Sequence, residues 1–171
     1  LVGTPPDIVA KAKLAMEPVF ARTHFSISTD ETRAHVNSAL FDETLNWSHI
    51  TALRARWQGP LLLKGPIGPD DARRALDIGV DGFHLSNHGG RQLDRCAPTA
   101  DLIVSLRAAV GPDVPIVVDS GVHHGGDVAV ALALGADMAF IGRAYVYAVA
   151  AAGERGVAHV LQILTDEFRS V

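Results

Sequence analysis

The sequence is poor in cysteine, in net charge and in long apolar runs. Cys96 is its only cysteine, so no intrachain disulfide can form, which fits a reducing compartment. The formal net charge is −4 and no basic stripe is present, which argues against nucleic-acid binding. No apolar run approaches the ~20 residues of a membrane helix, and no signal peptide is visible. These absences favour a cytoplasmic protein.

The composition is that of a folded domain. Apolar residues make up 48% of the 171 residues and charged residues 20%, a composition that favours a sizeable core and argues against disorder. Because the first residue is Leu1 rather than methionine, we expect the chain to begin inside a longer gene product.

Secondary-structure signals divide the chain in two. Residues 1–46 are expected to form a variable segment, with a helix over 7–22 that Pro18 ends or kinks and an irregular loop over 24–45. A helix over 47–56, capped by Asn46 or Ser48, begins the second part, 47–171. There, strands are predicted at 61–64, 82–86, 115–119 and 138–142, and helices at 70–78, 100–110, 126–134 and 157–168.

The alternation predicts an α/β fold with a parallel sheet, since the strands are continuously apolar. The segments ALDIGVD at 75–81 and ALALGAD at 131–137 resemble each other, as expected of a repeated βα barrel. A doubly wound sheet is the competing architecture, but its usual GxGxxG turn is absent. Four predicted strands are half of a (β/α)8 barrel. They leave two open edges and one uncovered face, so we expect another chain or a preceding segment to supply the remainder.

Polar residues at the ends of the strands are the candidate site. Lys64 ends the first strand, where it could neutralise an electron-rich ring or lie in water as an ordinary surface lysine. After the second strand, His88 could take a proton near neutral pH, and Arg91 offers a fork for a carboxylate. The alternative is a polar turn in which Arg91 pairs with Asp94.

A candidate phosphate site follows the third and fourth strands. The segment DSGVHHGG at 119–126 is glycine-rich and opens a helix, which could present free N–H groups to an anion. Gly142 and Arg143 could add a charged clamp, although both loops could also be ordinary turns. Eight histidines suggest a metal site, but His84 lies within a strand and no obvious ligand set is complete, so no metal is predicted.

The motifs LLLKG, SNHGGRQLD, ALALGAD and the IGRAYVY-to-GERGV tail resemble the FMN-dependent α-hydroxy-acid dehydrogenases and oxidases. The resemblance covers about residue 47 to the C-terminus and implies a TIM barrel of which this chain supplies strands five to eight. It implies FMN-dependent oxidation of a small L-2-hydroxy acid, lactate first among them. It further implies an N-terminal half-barrel, a homo-oligomer, and surface membrane association as an alternative to a purely cytoplasmic location.

The resemblance also implies roles for individual residues. His88 would be the active-site base, Arg91 would bind the substrate carboxylate, and Lys64 would stabilise the reduced flavin. The positions implied to contact FMN are Lys64, Ser86, His88, Asp119, Gly121, His123, Gly142 and Arg143.

One departure concerns the phosphate. The family usually has an arginine where this chain has His123, and the charge of a histidine depends on pH. Together with the absent first half, this leaves a second hypothesis, a catalytically incomplete half-barrel that acts as a structural piece.

Overall fold

The computed structural model describes residues 44–93 and 95–171 as four βα units in sequence. The elements are α1 (Trp47–Arg56), β1 (Leu62–Gly65), α2 (Pro69–Ile78), β2 (Gly82–Leu85), a 3-10 turn (His88–Gly90), α3 (Thr99–Val110), β3 (Ile116–Val118), α4 (Gly125–Ala133), β4 (Met138–Ala139) and α5 (Arg143–Arg169). The expected helix over 7–22 and the loop up to residue 43 lie outside the described residues. The division at residue 46 therefore stays a prediction.

The sheet confirms the parallel α/β architecture. The four strands pair in the order β1-β2-β3-β4, and all three pairings are parallel. This order is that of consecutive barrel strands, whereas a doubly wound sheet reverses its strand order partway.

Helix ends follow the local chemistry. Asn46 rather than Ser48 caps α1, because its side chain accepts the N–H of Ser48 at 2.9 Å. Pro69 is the first residue of α2, and Gly79 ends the helix in the left-handed region at φ 97°.

Two predicted boundaries are wrong. The last helix begins at Arg143 rather than at residue 157, since its alanine-rich first half is a strong helix former. Ala152 and Gly153, at φ −154° and 56°, leave the helical region, so α5 consists of two helical segments joined across a kink. The strand β4 covers only Met138–Ala139, well short of residue 142.

The two faces of the sheet differ sharply. One face packs against the helices and is fully buried at Phe83, Leu85 and Ile116. The other, which we call the inner face, carries Lys64 and His84 as register partners. Apolar side chains are exposed on it: Leu62 by 44%, Met138 by 51%.

No helix within residues 44–93 and 95–171 combines the length and the apolar character that crossing a bilayer requires.

Candidate functional site

The candidate site lies along the carboxyl edge of the sheet, where all four strands end. Because the strands are parallel and adjacent, residues far apart in sequence meet there. Lys64 from β1, His84 from β2 and Asp119 just after β3 are in direct contact. Lys64 Nζ lies 3.0 Å from Oδ2 of Asp119, and His84 Nε2 lies 2.9 Å from the same oxygen.

Asp119 is the hub of this group. It is partly buried, which alone would raise its pKa, but hydrogen bonds from Ser86, Ser120 and Lys64 and the charge of Lys64 outweigh burial. The pKa of Asp119 is therefore lowered from 3.8 to about 2. At neutral pH its carboxylate is ionised and only accepts hydrogen bonds.

The pKa of His84 shifts downward. Burial is the largest cause, and the nearby Lys64 ammonium lowers it further, while Asp119 acts in the opposite direction. The neutral imidazole of His84 is therefore favoured more strongly than in a free histidine. Its ring meets that of Phe140 edge-on, with centroids 5.1 Å apart.

The turn that carries His88 has an unusual backbone. His88, Gly89 and Gly90 have φ angles of 55°, 67° and 74°, so three successive residues lie in the left-handed region. For His88 this conformation is strained, which is typical of functional turns. It is held by side chains, since the His88 N–H donates to Ser86 Oγ at 3.2 Å and the Gly89 N–H donates to Asn87 Oδ1 at 3.0 Å.

His88 and Arg91 both lie at this open edge. The imidazole of His88 is half-buried, and no hydrogen bond joins its side chain to another described residue. Arg91 is exposed, and its Nε donates to the His88 carbonyl at 3.1 Å. Neither side chain is buried among aliphatic neighbours. Asp94, the alternative partner of Arg91, lies outside the described residues.

A cavity of about 440 Å³ opens beside the turn. Gly89, Gly121 and Arg143 are among the residues that line it. Arg143 packs so closely on the turn that a Cβ at Gly89 would lie 3.2 Å from its Nη2. Gly142 directly precedes Arg143 and is the residue before α5. Of the residues suggested for a phosphate, Gly121 and Arg143 therefore lie on one cavity, with Gly142 next to Arg143 in the chain.

His123 lies elsewhere. With His124 it lines a separate cavity of about 660 Å³ against α5. The expectation that this helix start presents free N–H groups is wrong at three positions. The N–H groups of His123 and His124 both donate to Asp127 Oδ2 at 2.8 Å, and that of Gly125 donates to Glu167 Oε2 at 2.7 Å.

Three contributors were missed from the sequence. His84 was considered only as a metal ligand, although alternation along β2 puts it on the face of Lys64. Ser120 accepts the N–H groups of Asn87 and Gly89 at 3.3 and 3.2 Å. Thr99 is buried, and its hydroxyl donates to the carbonyls of Asp119 and Ser120; no local signal pointed to it. Among the described residues, no cluster of three or more His, Cys, Asp or Glu side chains could hold a metal ion.

Comparison with known proteins gives a consistent result. The family model described as FMN-dependent dehydrogenase matches residues 4–171. The chain is 46% identical over 129 residues to an L-lactate dehydrogenase of Chromohalobacter salexigens, covering 75% of this chain and 33% of that protein. It is 42% identical over 163 residues to an L-lactate oxidase of Lysinibacillus sphaericus, covering 94% and 42%.

Among solved structures, the monotopic membrane protein (S)-mandelate dehydrogenase matches with a TM-score of 0.74 and 40% identity. The match covers 84% of this chain and 38% of that one. The chain therefore spans between a third and about two fifths of the length of the relatives it matches.

Proposed function

The chain belongs to the FMN-dependent dehydrogenase family, and from that premise we propose that it serves the oxidation of a small L-2-hydroxy acid to the 2-oxo acid, with lactate as the first candidate substrate. The observation that carries the proposal is the left-handed turn of His88, held at the strand edge beside Lys64 and Asp119. The named L-lactate dehydrogenase and oxidase relatives support the substrate class.

The residues present fit FMN, the cofactor of this family. The isoalloxazine has an electron-rich edge that suits an ammonium, and its phosphate suits a guanidinium. Lys64 and Arg143 are cations on the same edge of the sheet, and Gly89 leaves the space that Arg143 occupies. When bound, FMN supplies the acceptor for the two electrons of the substrate.

In the proposed mechanism, His88 accepts one of the two protons that the substrate loses, and the other proton passes to FMN together with the two electrons. Histidine is the side chain best suited to taking up a proton near neutral pH. Arg91 binds the substrate carboxylate through its guanidinium and so orients the α-carbon towards His88. The turn joins the two side chains, and its hydrogen bonds limit how far either can move.

We assign the contacts with the cofactor to eight residues. Lys64 would stabilise the negative charge that the ring gains on reduction, with Ser86 and His88 beside the ring. Asp119, Gly121 and His123 would line the ribityl and phosphate side, and Gly142 and Arg143 the phosphate. Since His123 faces the α5 cavity, Arg143 would supply most of the fixed positive charge there.

The remaining barrel strands form the proposed partner. The strands β1 and β4 each pair with one strand only among the described residues, and each carries an exposed apolar side chain on the inner face, Leu62 and Met138. An N-terminal half-barrel, from the same gene or a second chain, would cover this face and complete the active site. A homo-oligomer and association with a membrane surface also stay predictions, the latter prompted by the monotopic (S)-mandelate dehydrogenase.

Replacing His88 by Gln tests the mechanism. We expect the chain, purified together with the half-barrel proposed to complete its site, to carry a flavin absorbance band that L-lactate bleaches under anaerobic conditions. His88→Gln should keep the band but bleach roughly 10²- to 10⁴-fold more slowly, the usual contribution of a positioned base.

His159→Gln is the matched control, because His159 is exposed on α5 and away from the turn. Unchanged bleaching in His88→Gln would rule out His88 as the base. A colourless protein that binds no added FMN would favour the second hypothesis, a structural half-barrel, which the replacement of the family's phosphate arginine by His123 motivates.

A further inference from the structure

One carboxylate oxygen of Asp119 contacts both His84 and Lys64, and so connects residues from three neighbouring strands. His84 Nε2 lies 2.9 Å from Oδ2 of Asp119, and Lys64 Nζ lies 3.0 Å from that same oxygen. Lys64 and His84 are direct register partners on β1 and β2, so both reach Asp119 from the same face of the sheet. The family resemblance implies roles for Lys64 and Asp119 but none for His84.

The hydrogen-bond pattern determines the tautomer of His84. An ionised carboxylate only accepts hydrogen bonds, so the proton between the two groups must reside on Nε2 of the imidazole. Nδ1 is then the unprotonated nitrogen. The ring has little freedom, since its side chain is 14% exposed and the ring of Phe140 meets it at an interplanar angle of 86°.

We propose that His84 is a positioning residue for Lys64. It holds the Asp119 carboxylate in place for the ammonium through its Nε2–H. When it gains a second proton, on Nδ1, this hydrogen bond becomes charge-assisted and one positive charge is added beside Lys64. Since Lys64 is assigned to the flavin ring, this inference rests on the proposed function: protonation of His84 would favour reduced, anionic FMN over oxidised FMN.

The titratable neighbours of His84 determine the pH range over which it gains its proton. They are Lys64 from β1, His88 from the turn after β2 and Asp119 after β3, while Phe140 after β4 carries no charge. Burial lowers the pKa of His84 most, Lys64 and His88 lower it further, and Asp119 raises it. The switch should therefore operate on the acid side of the usual histidine range.

A first test measures the tautomer and the titration of His84 and does not depend on enzymatic activity. In the purified protein with selectively labelled histidines, nuclear magnetic resonance should report His84 as the Nε2–H tautomer at neutral pH. Lys64→Met should raise the pKa of His84, because it removes a positive charge that lowers it. An Nδ1–H tautomer, or the same titration in both proteins, would overturn the positioning role.

A second test follows the flavin. The reduction potential of the bound flavin gives the dissociation constant of oxidised FMN divided by that of reduced FMN. This ratio should rise roughly tenfold as the pH falls and His84 gains its proton, as expected for one partly screened charge nearby. His84→Gln keeps a donor in the place of Nε2 but does not titrate, so it should match the parent above the transition and lose the step. His84→Leu should lose the step and weaken FMN binding at every pH.

The controls separate the two proposals. His159→Gln removes an exposed imidazole and should retain the step, and circular dichroism checks that each variant is folded. A protein that L-lactate reduces but whose His84→Gln variant keeps the step would refute the inference alone. A protein that binds no FMN would refute the proposed function, and the resonance test would then decide the arrangement of His84 by itself.

Discussion

At the scale of single residues, Asp119 links most of the candidate site. Its carboxylate contacts Lys64, His84 and Ser120, and its backbone carbonyl accepts from buried Thr99. Its own N–H donates to the Leu85 carbonyl at 2.9 Å, which continues the ladder between β2 and β3. One residue therefore ties the geometry of the site to that of the sheet.

Replacing Asp119 by Asn should change how stability depends on pH. The folded-state pKa of Asp119, about 2, lies below its ordinary value of 3.8. The stability that the Asp119 carboxylate contributes to the folded state is therefore fully present above pH 3.8 and is lost as the pH falls towards 2. The shift corresponds to about 2 kcal/mol, of which about 1 kcal/mol is lost between about pH 5 and pH 3.

Urea unfolding of the parent and of Asp119→Asn at these two pH values measures the effect. The difference in unfolding free energy between the two proteins should shrink by about 1 kcal/mol at the lower pH. Differences that stay constant would contradict the assigned role of the carboxylate.

At the scale of elements, the repeated sequence segments have the same structural solution. In each, an aspartate lies just before a strand and accepts the N–H at the start of the preceding strand. The same aspartate pairs with an arginine from the helix that comes before that preceding strand. The two sets are Asp81 with Leu61 and Arg54, and Asp137 with Ile116 and Arg107. Each arginine also donates to the carbonyl of the glycine that follows a helix, Gly79 or Gly135.

Replacing Arg107 by Met should destabilise the fold. Arg107 donates to Asp137 at 2.7 Å and to the Gly135 carbonyl at 2.9 Å, and it is only 19% exposed. Losing charged hydrogen bonds of this kind costs about 2 kcal/mol. Arg73→Met, which removes an exposed pair with Asp70, should cost less than about 0.5 kcal/mol. Equal losses in urea unfolding would show that the arginine of the repeat has no special role.

The contact between α4 and α5 depends on one glycine. A Cβ at Gly125 would collide with the backbone of Phe168 and Leu164, whereas a Cβ at Gly126 would meet nothing within 4 Å. Gly125→Ala should therefore lower the unfolding free energy by about 2 kcal/mol or more, as overpacking does. Gly126→Ala is the neighbouring control and should be neutral or slightly stabilising, because alanine favours a helix. Thermal unfolding that ranks the two variants the other way would contradict the packing described.

At the scale of the whole molecule, the two faces of the sheet differ in their exposure to solvent. The face towards the helices is buried, while the inner face combines the charged group of Lys64, His84 and Asp119 with exposed Leu62 and Met138. Exposed apolar side chains on the open edge strands of a sheet are typical of interaction surfaces. The proposed second half-barrel would bury both the apolar side chains and the site.

The 171-residue chain expressed by itself should therefore self-associate or bind a hydrophobic dye. Replacing Leu62 and Met138 together by Ser should reduce both effects, since these side chains are 44% and 51% exposed. Sedimentation and dye fluorescence measure the change. A chain that stays monomeric and binds no dye would show that the inner face needs no cover.

The sequence by itself determined the class of fold and much of the site. Continuous apolar strands, glycines after helices and the repeated aspartate segments act locally or between adjacent elements, so the parallel sheet and the positions of Lys64, His88 and Asp119 at strand ends could be predicted from pattern. Only the tertiary structure decided which of these side chains meet. The sharing of Asp119 by Lys64 and His84, the packing of Arg143 on Gly89 and the occupied N–H groups at the start of α4 depend on strand register and helix packing, which join residues distant in sequence.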